Sequence, residues 1–237
     1  MWLSVKQELK FTMAVIDNYN RIREKINETA IKCGRKSNEI KIVAVSKTFN
    51  ENIIQEAINS GINILGESRV QEASKKFGSM LGNFELHMIG HLQSNKSNEA
   101  VKLFDLIHSV DKISTASKLN LESEKIDKIQ SILLQLKTSD EDTKHGADPS
   151  EIISIAESIL EMKNLKLEGI MSIGPNTSDK AIIRKSFTET SKTLNKINTT
   201  LNLNLKELSM GMSGDYTIAI EEGATLIRIG TAIFGGR

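Results

Sequence analysis

The sequence has very few cysteines and prolines, one and two respectively among 237 residues. Cys33 has no second cysteine with which to form an internal disulfide, so the chain fits a reducing compartment and offers no cysteine-based metal framework. Pro149 and Pro175 both fall between predicted elements and interrupt neither a helix nor a strand. We therefore expect a cytoplasmic protein that is held together by its hydrophobic core.

An excess of one charge and a long apolar run are also missing. Lys plus Arg number 31 against 30 for Asp plus Glu, which gives a formal net charge of +1. Such a chain has no strong field to attract nucleic acid or an anionic membrane. Nowhere do enough apolar residues follow one another to span a bilayer, and the N-terminal MWLSVKQELK lacks the apolar core of a signal peptide. We expect neither a nucleic-acid partner nor a membrane segment.

Short apolar runs recur along the chain and predict strands. They read KIVAVS, INIL, ELHMIG, FDLIHSV, QSILLQL, LEGIMSI, LKELSM and TLIRIG. Charged amphipathic segments of helical length lie between them, such as NENIIQEAINSG. Apolar residues at steps of three or four from Ile16 to Cys33 also predict a leading helix, which ends at Gly34 and packs through a face that includes Cys33.

Strand and helix therefore alternate as they do in a closed parallel barrel of about 250 residues. We predict a (β/α)8 TIM barrel with an extra N-terminal helix. Residues 13–237 would form its single domain, and residues 1–12 an uncertain N-terminal extension, because Met13 is a plausible initiator. Barrel enzymes place their sites at the C-terminal ends of strands. Polar residues of this chain cluster at those ends, from Ser46 after the first run to Thr231 after the eighth.

A lysine stands at the end of the first apolar run, in IVAVSKTF, residues 42–49. Apolar walls would favour the neutral amine of Lys47, the form that attacks an aldehyde to give a Schiff base. An ordinary surface lysine is the alternative. The loops after the seventh and eighth runs, SMGMSGD and RIGTAIFGG, combine glycines with the hydroxyls of Ser213 and Thr231, at strand ends where many barrels hold a phosphate.

An aldehyde that also carries a phosphate suggests pyridoxal 5'-phosphate (PLP). Arg228 would point into the barrel toward the pyridine nitrogen of this cofactor. An arginine stays protonated and only donates hydrogen bonds, so it would leave that nitrogen unprotonated and weaken the cofactor as an electron sink. A salt bridge from Arg228 to Glu67 or to another carboxylate at the barrel mouth is the alternative.

These residues belong to stretches that resemble one family. The stretches are AVSKT (44–48), GE with VQE (66–72), HMIGHLQSNK (87–96), IHSVD (107–111), KHG (144–146), LSMGMSGD (208–215) and IRIGTAIFGGR (227–237). They are similar to the pyridoxal phosphate homeostasis proteins, single-domain barrels related to the alanine racemase N-terminal domain. The resemblance implies PLP as the cofactor and Lys47 as its lysine. It also implies a phosphate cradle at Met212, Ser213, Gly230 and Thr231, with Arg228 as the partner of the pyridine nitrogen.

The chain departs from the family at Ser68 and Arg69, which replace the usual asparagine and aromatic residue. Alanine racemase supplies a tyrosine opposite its lysine from a second domain and a partner subunit, whereas neither Tyr19 nor Tyr216 is well placed in the sequence for that role. We therefore expect no catalytic residues. The protein would be a monomer that binds, buffers and transfers PLP to apoenzymes. The alternatives are an amino-acid racemase or Schiff-base lyase that uses Lys47, and a barrel that binds a sugar phosphate without an adduct.

The remaining histidines and lysines have less specific roles. His87 and His91 lack the helix and glutamate of a zinc motif, so we expect no metal site. His87 would be a satisfied strand residue, and His108 would face either the cofactor or a neighbouring loop. The mouth of the barrel would be shaped by His91, Gln93, Asn95 and Lys96. Lys144 would handle a second aldehyde or simply be solvated.

Overall fold

The computed structural model of the chain describes residues 5–138 and 145–235. Its strands pair in parallel, each with the next, and β8 pairs with β1 to close the barrel. The strands are β1 Lys41–Val45, β2 Ile64–Glu67, β3 Glu85–Met88, β4 Leu106–Val110, β5 Gln130–Leu136, β6 Leu165–Ser172, β7 Glu207–Ser209 and β8 Leu226–Ile229. The predicted (β/α)8 barrel is confirmed, and each strand overlaps one of the predicted runs.

Helices surround the barrel and connect its strands. They are α1 Val5–Lys32, α2 Glu51–Asn59, α3 Val70–Phe77, α4 Ser97–Leu103, α5 Ile113–Glu124, α6 Ile152–Leu160, α7 Lys180–Leu201, α8 Tyr216–Glu221 and α9 Thr231–Phe234. The predicted leading helix is α1, which packs against α2, α8 and α9. Cys33 is a correction: it lies beyond the end of α1 and is exposed rather than packed. Within the described part of the chain, no helix has the length and apolar character needed to cross a bilayer.

The barrel interior has an apolar layer and a polar layer. The apolar layer consists of buried residues from six strands, namely Val43, Ile64, Leu106, Leu133, Met171 and Leu226. Arg228 follows Leu226 by two residues and pairs in register with Val43, so it points to the same side of the sheet. It therefore lies inside the barrel, closer to the C-terminal ends of the strands.

The long helix α7 begins at a side-chain cap that can be tested. Asp179 accepts hydrogen bonds from the backbone N–H groups of Ala181 at 2.8 Å and Ile182 at 3.3 Å. Loss of such a cap typically destabilises a protein by about 1 kcal/mol. We expect Asp179→Ala to lower the free energy of unfolding by about that amount in urea denaturation. Asp179→Asn keeps the acceptor oxygen and should remain near wild type, and equal losses for both variants would contradict the assignment.

Candidate cofactor site at the C-terminal mouth of the barrel

Lys47 lies in a turn just beyond the end of β1. Ser46 is buried, whereas Lys47 and Thr48 are exposed. The sequence predicted a lysine held beside apolar walls, but the side chain of Lys47 is exposed. Thr48 has a positive φ of 71°, which is rare for a β-branched residue, and its N–H donates to Glu72 Oε1 at 2.8 Å. The turn that presents Lys47 is thus held in a conformation that threonine disfavours.

A buried ionic network holds this turn against β2 and α3. Lys76 Nζ donates to the backbone oxygen of Ser46 at 3.1 Å, to Glu67 Oε1 at 3.2 Å and to Glu72 Oε1 at 2.6 Å. Ser46 Oγ also donates to Glu67 Oε1 at 2.8 Å. Burial raises the pKa of the Glu67 carboxyl, while the hydrogen bond from Ser46 and the charge of Lys76 oppose that shift. Sequence reasoning missed Lys76, although its spacing of four residues from Glu72 on α3 was a local signal.

The lysine turn and α9 are packed against each other. Phe49 and Phe234 stack with their ring centroids 4.9 Å apart and an interplanar angle of 30°. Ala44 of β1 pairs in register with Ile229 of β8, the residue that precedes Gly230. A Cβ at Gly230 would lie 3.4 Å from Val45 Cβ. Because β1 and β8 are neighbours, the structure brings Lys47 to the same part of the mouth as the start of α9.

The loops after β7 and β8 converge, as a phosphate cradle requires. The N–H of Ala232 in α9 donates to Ser213 Oγ at 3.4 Å, which joins the two loops directly. Asp215 accepts a bond from Met212 N–H at 2.6 Å and fixes the shape of the first loop. The N–H groups of Ile233 and Phe234 donate to the backbone oxygen of Gly230, so the N–H of Thr231 is the donor that the start of α9 can offer to an anion. A Cβ at Gly214 would meet no atom within 4 Å, so the space beside this loop is open.

Arg228 is buried inside the barrel and forms no ion pair with a carboxylate in the described part of the chain. Its Nη1 donates to Ser209 Oγ at 2.6 Å and its Nη2 to the backbone oxygen of Ser172 at 2.8 Å. Burial lowers the pKa of the guanidinium to about 10, and the charge of Asp215 partly opposes this shift. None of the ion pairs between described residues involves Arg228, so the alternative of a salt bridge to Glu67 or to another described carboxylate is wrong. Glu67 pairs with Lys76 instead.

A chain of hydrogen-bonded side chains continues from Arg228 across the barrel. Ser209 Oγ lies 2.9 Å from His108 Nδ1, and His108 Nε2 lies 3.1 Å from His87 Nδ1. His87 Nε2 is 3.2 Å from Glu85 Oε2. His87 is therefore a satisfied strand histidine, as predicted, and His108 contacts strands inside the barrel rather than a loop. Burial, the nearby His87 and the positive Arg228 hold the pKa of His108 well below its usual range.

The mouth beside β2 and β3 contains a cleft of about 410 Å³. Three of the four residues expected to shape the mouth line it, and both departures from the family pattern do so as well. They are His91, Gln93 and Lys96, with Ser68 and Arg69. Asn95 is not among the lining residues. Lys144 lies outside the described residues.

Comparison with known proteins shows similarity over nearly the whole chain. The family described as alanine racemase, N-terminal domain, matches residues 14–237. The pyridoxal phosphate homeostasis protein of Aquifex aeolicus (strain VF5) is 35% identical over 226 residues, which cover 95% of this chain and 99% of that protein. The protein of the same name from Vibrio alginolyticus is 38% identical over 232 residues, covering 94% and 98%. The structure of PipY from Synechococcus elongatus PCC7942 with PLP bound is similar with a TM-score of 0.83 and 31% identity, covering 93% of this chain and 100% of that one.

Proposed function

The chain belongs to the pyridoxal phosphate homeostasis proteins of the alanine racemase N-terminal domain family, and from this membership we propose that it binds PLP, buffers its concentration and transfers it to apoenzymes. The names of the relatives and the PLP in the PipY structure support the choice of cofactor. The observation that carries the proposal is the arrangement at the mouth. An exposed lysine lies in a turn packed against α9, the loop before α9 meets the loop after β7, and a buried arginine has no ion-pair partner among the described residues.

Lys47 is the proposed attachment residue through a Schiff base. When bound, PLP supplies an aldehyde and a phosphate on one small ring. The neutral Nζ of Lys47 would add to that aldehyde with loss of one water molecule, and water would reverse the linkage and free the amine when the cofactor is handed on. Because Lys47 is exposed, positioning by the phosphate cradle, rather than burial of the amine, is what would favour the reaction.

The cradle and the arginine have separate roles in this proposal. Ser213 and the N–H of Thr231 at the start of α9 would bind the phosphate, and Met212 and Gly230 would shape the backbone around it. Two of the five N–H groups of Arg228 bond to Ser209 and Ser172, and one of the other three would donate to the pyridine nitrogen. A donor at that position leaves the nitrogen unprotonated, which limits the capacity of the ring to stabilise a carbanion.

The positions of the tyrosines favour binding over catalysis. Racemisation requires an acid or base on each face of the substrate. Tyr19 lies within α1, and burial raises the pKa of its phenol. Tyr216 begins α8, and the charges that act on its phenol are those of Lys25 and Glu28 on α1. Both phenols therefore belong to the packing around α1. An amino-acid racemase or a lyase remains the competing function, because Lys47 would serve it equally well.

We test the proposal with the purified protein and added PLP. We expect a yellow protein after removal of free cofactor, with the cofactor mass fixed by borohydride on the peptide that contains Lys47. Turnover of a panel of amino acids should stay at the level of PLP alone, because both tyrosines belong to the packing around α1. A colourless, unlabelled preparation would favour a sugar-phosphate barrel, and saturable turnover by the loaded protein would establish the racemase or lyase.

A further inference from the structure

Three metal-binding side chains meet on the mouth at the ends of neighbouring strands. His91 follows β3 and Asp111 follows β4. His145 lies two residues before Ala147, which forms a bridge with Leu136 at the end of β5. One ligand atom from each of the three lies within 4.8 Å of the others. The His91 and His145 rings stack with centroids 3.9 Å apart, and His91 Nδ1 is 4.0 Å from Asp111 Oδ2. The fold thus brings together three side chains whose spacing in the sequence does not indicate a metal site.

The backbone positions of both histidines are fixed by an adjoining glycine. A Cβ on Gly90 would lie 2.3 Å from the backbone oxygen of Ser68, so only glycine fits immediately before His91. Gly146, which follows His145, has a φ of 147°, and a Cβ there would lie 2.6 Å from the backbone nitrogen of Lys137. The His145 backbone oxygen also accepts a bond from Gln135 Nε2 at 2.6 Å. Both rings therefore extend from anchored backbone.

The electrostatics of the three side chains fit a bound cation. The Asp111 side chain is 10% exposed, and its Oδ1 is buried with no hydrogen-bond partner among the described residues. A buried carboxylate oxygen without a donor is costly and rare in folded proteins.

We propose that His91, Asp111 and His145 bind a divalent transition metal ion, with Zn²⁺ and Co²⁺ as the best-suited class. Two imidazoles and one carboxylate are ligands that suit these ions, and the remaining coordination positions on the open mouth would hold water. Ligand atoms around such an ion lie about 3.3 Å apart, from metal–nitrogen distances of about 2.0–2.1 Å. The stacked rings must therefore rotate apart and toward Asp111 on binding.

The proposed metal site does not use the pair of histidines that are four residues apart in the sequence. His87 and His91 are four residues apart, but His87 lies inside the barrel and bonds to His108 and Glu85. The ligands instead come from three successive strand ends, and a bound ion would cross-link them. The proposal does not depend on Lys47 or on PLP, so it can be tested apart from the proposed function.

The test is a titration of the tag-free, PLP-free protein with Co²⁺ and Zn²⁺, followed by visible absorption and calorimetry. We expect saturable binding of one ion per chain and a cobalt spectrum with d–d bands. Asp111→Asn, His91→Gln and His145→Gln should each weaken binding more than about ten-fold, the effect that even supporting residues around a metal can have. Circular dichroism of each variant establishes that it is folded, and His145→Gln, whose side chain is exposed, is the variant least able to disturb the fold.

Two substitutions serve as controls. Asp127→Asn makes the same chemical change at an exposed position, and Cys33→Ser removes the exposed thiol as a competing ligand. Binding should be unchanged in both. Absence of saturable binding in the wild type would overturn the proposal, and so would binding of unchanged affinity in folded His145→Gln.

Discussion

Lys47→Ala is expected to abolish covalent capture of PLP. The wild type, incubated with PLP and reduced with borohydride, should carry the cofactor mass on the Lys47 peptide, and the variant should carry none there. The reason is chemical, because alanine has no amine to condense with the aldehyde. The visible absorption of the linked cofactor should disappear with the label. Intact-protein mass spectrometry and peptide mapping measure the loss.

Residual binding of PLP by the variant is part of the expected result. The loops at Ser213 and Thr231 and the buried Arg228 remain, so the phosphate and ring should still be held without a covalent bond. Such binding would be reversible on dialysis. Lys192→Ala, a change at an exposed lysine of α7, is the matched control and should label like the wild type. Undiminished labelling of Lys47→Ala at a single other lysine would show that the attachment residue was wrongly assigned.

Lys76→Met is expected to cause the largest loss of stability. Lys76 is buried with Glu67, whose side chain is fully buried, and the substitution removes a charge while keeping much of the volume. Breaking a buried pair by removing one partner typically costs about 3–5 kcal/mol, because the other charge is left uncompensated. We expect a loss of that size in the free energy of unfolding, measured in urea. Lys75→Met, the change at the exposed neighbour on the same helix, should have little effect.

The loss of stability caused by Lys76→Met should shrink as the pH falls. Burial already raises the pKa of Glu67 from its ordinary value of 4.5, and Lys76 opposes that shift, so the variant raises it further. A carboxyl whose pKa is raised in the folded state destabilises the fold once it ionises, and protonation removes this cost. The free energy of unfolding should recover as the pH falls from the raised pKa of folded Glu67 to about 4.5. Adding Glu67→Gln to Lys76→Met should recover part of the lost stability at neutral pH. A deficit that does not change with pH or with Glu67→Gln would contradict this account.

The strands were predictable because parallel strands are buried on both faces and read as continuous apolar runs. The first and last residues of the strands were less predictable. The run INIL, residues 62–65, indicated the second strand, but β2 is Ile64–Glu67 and includes a buried glutamate that no apolar pattern can indicate. Cys33 was misplaced for a related reason, since the helical period does not show where contact with the barrel ends.

Some residues of the candidate site were likewise predictable from the sequence, and others were not. Lys47, Ser213 and Thr231 follow strand ends, and barrel topology alone brings such residues to one face. The partners of Glu67, by contrast, depend on how α3 packs, and the cluster of Asp111 with His145 depends on a loop that returns to β5. Contacts between distant parts of a chain leave no periodic trace in the sequence, so these features required coordinates.

The pairing of β1 with β8 has a consequence for biosynthesis. It joins the first strand of the barrel to the last, and it places the lysine turn beside the start of α9. The lysine turn would therefore leave the ribosome long before the turns that we propose to hold the phosphate had been translated. Nascent chains should be unable to retain the vitamin B6 cofactor until the final strand closes the seam, so cofactor loading would be a post-translational event.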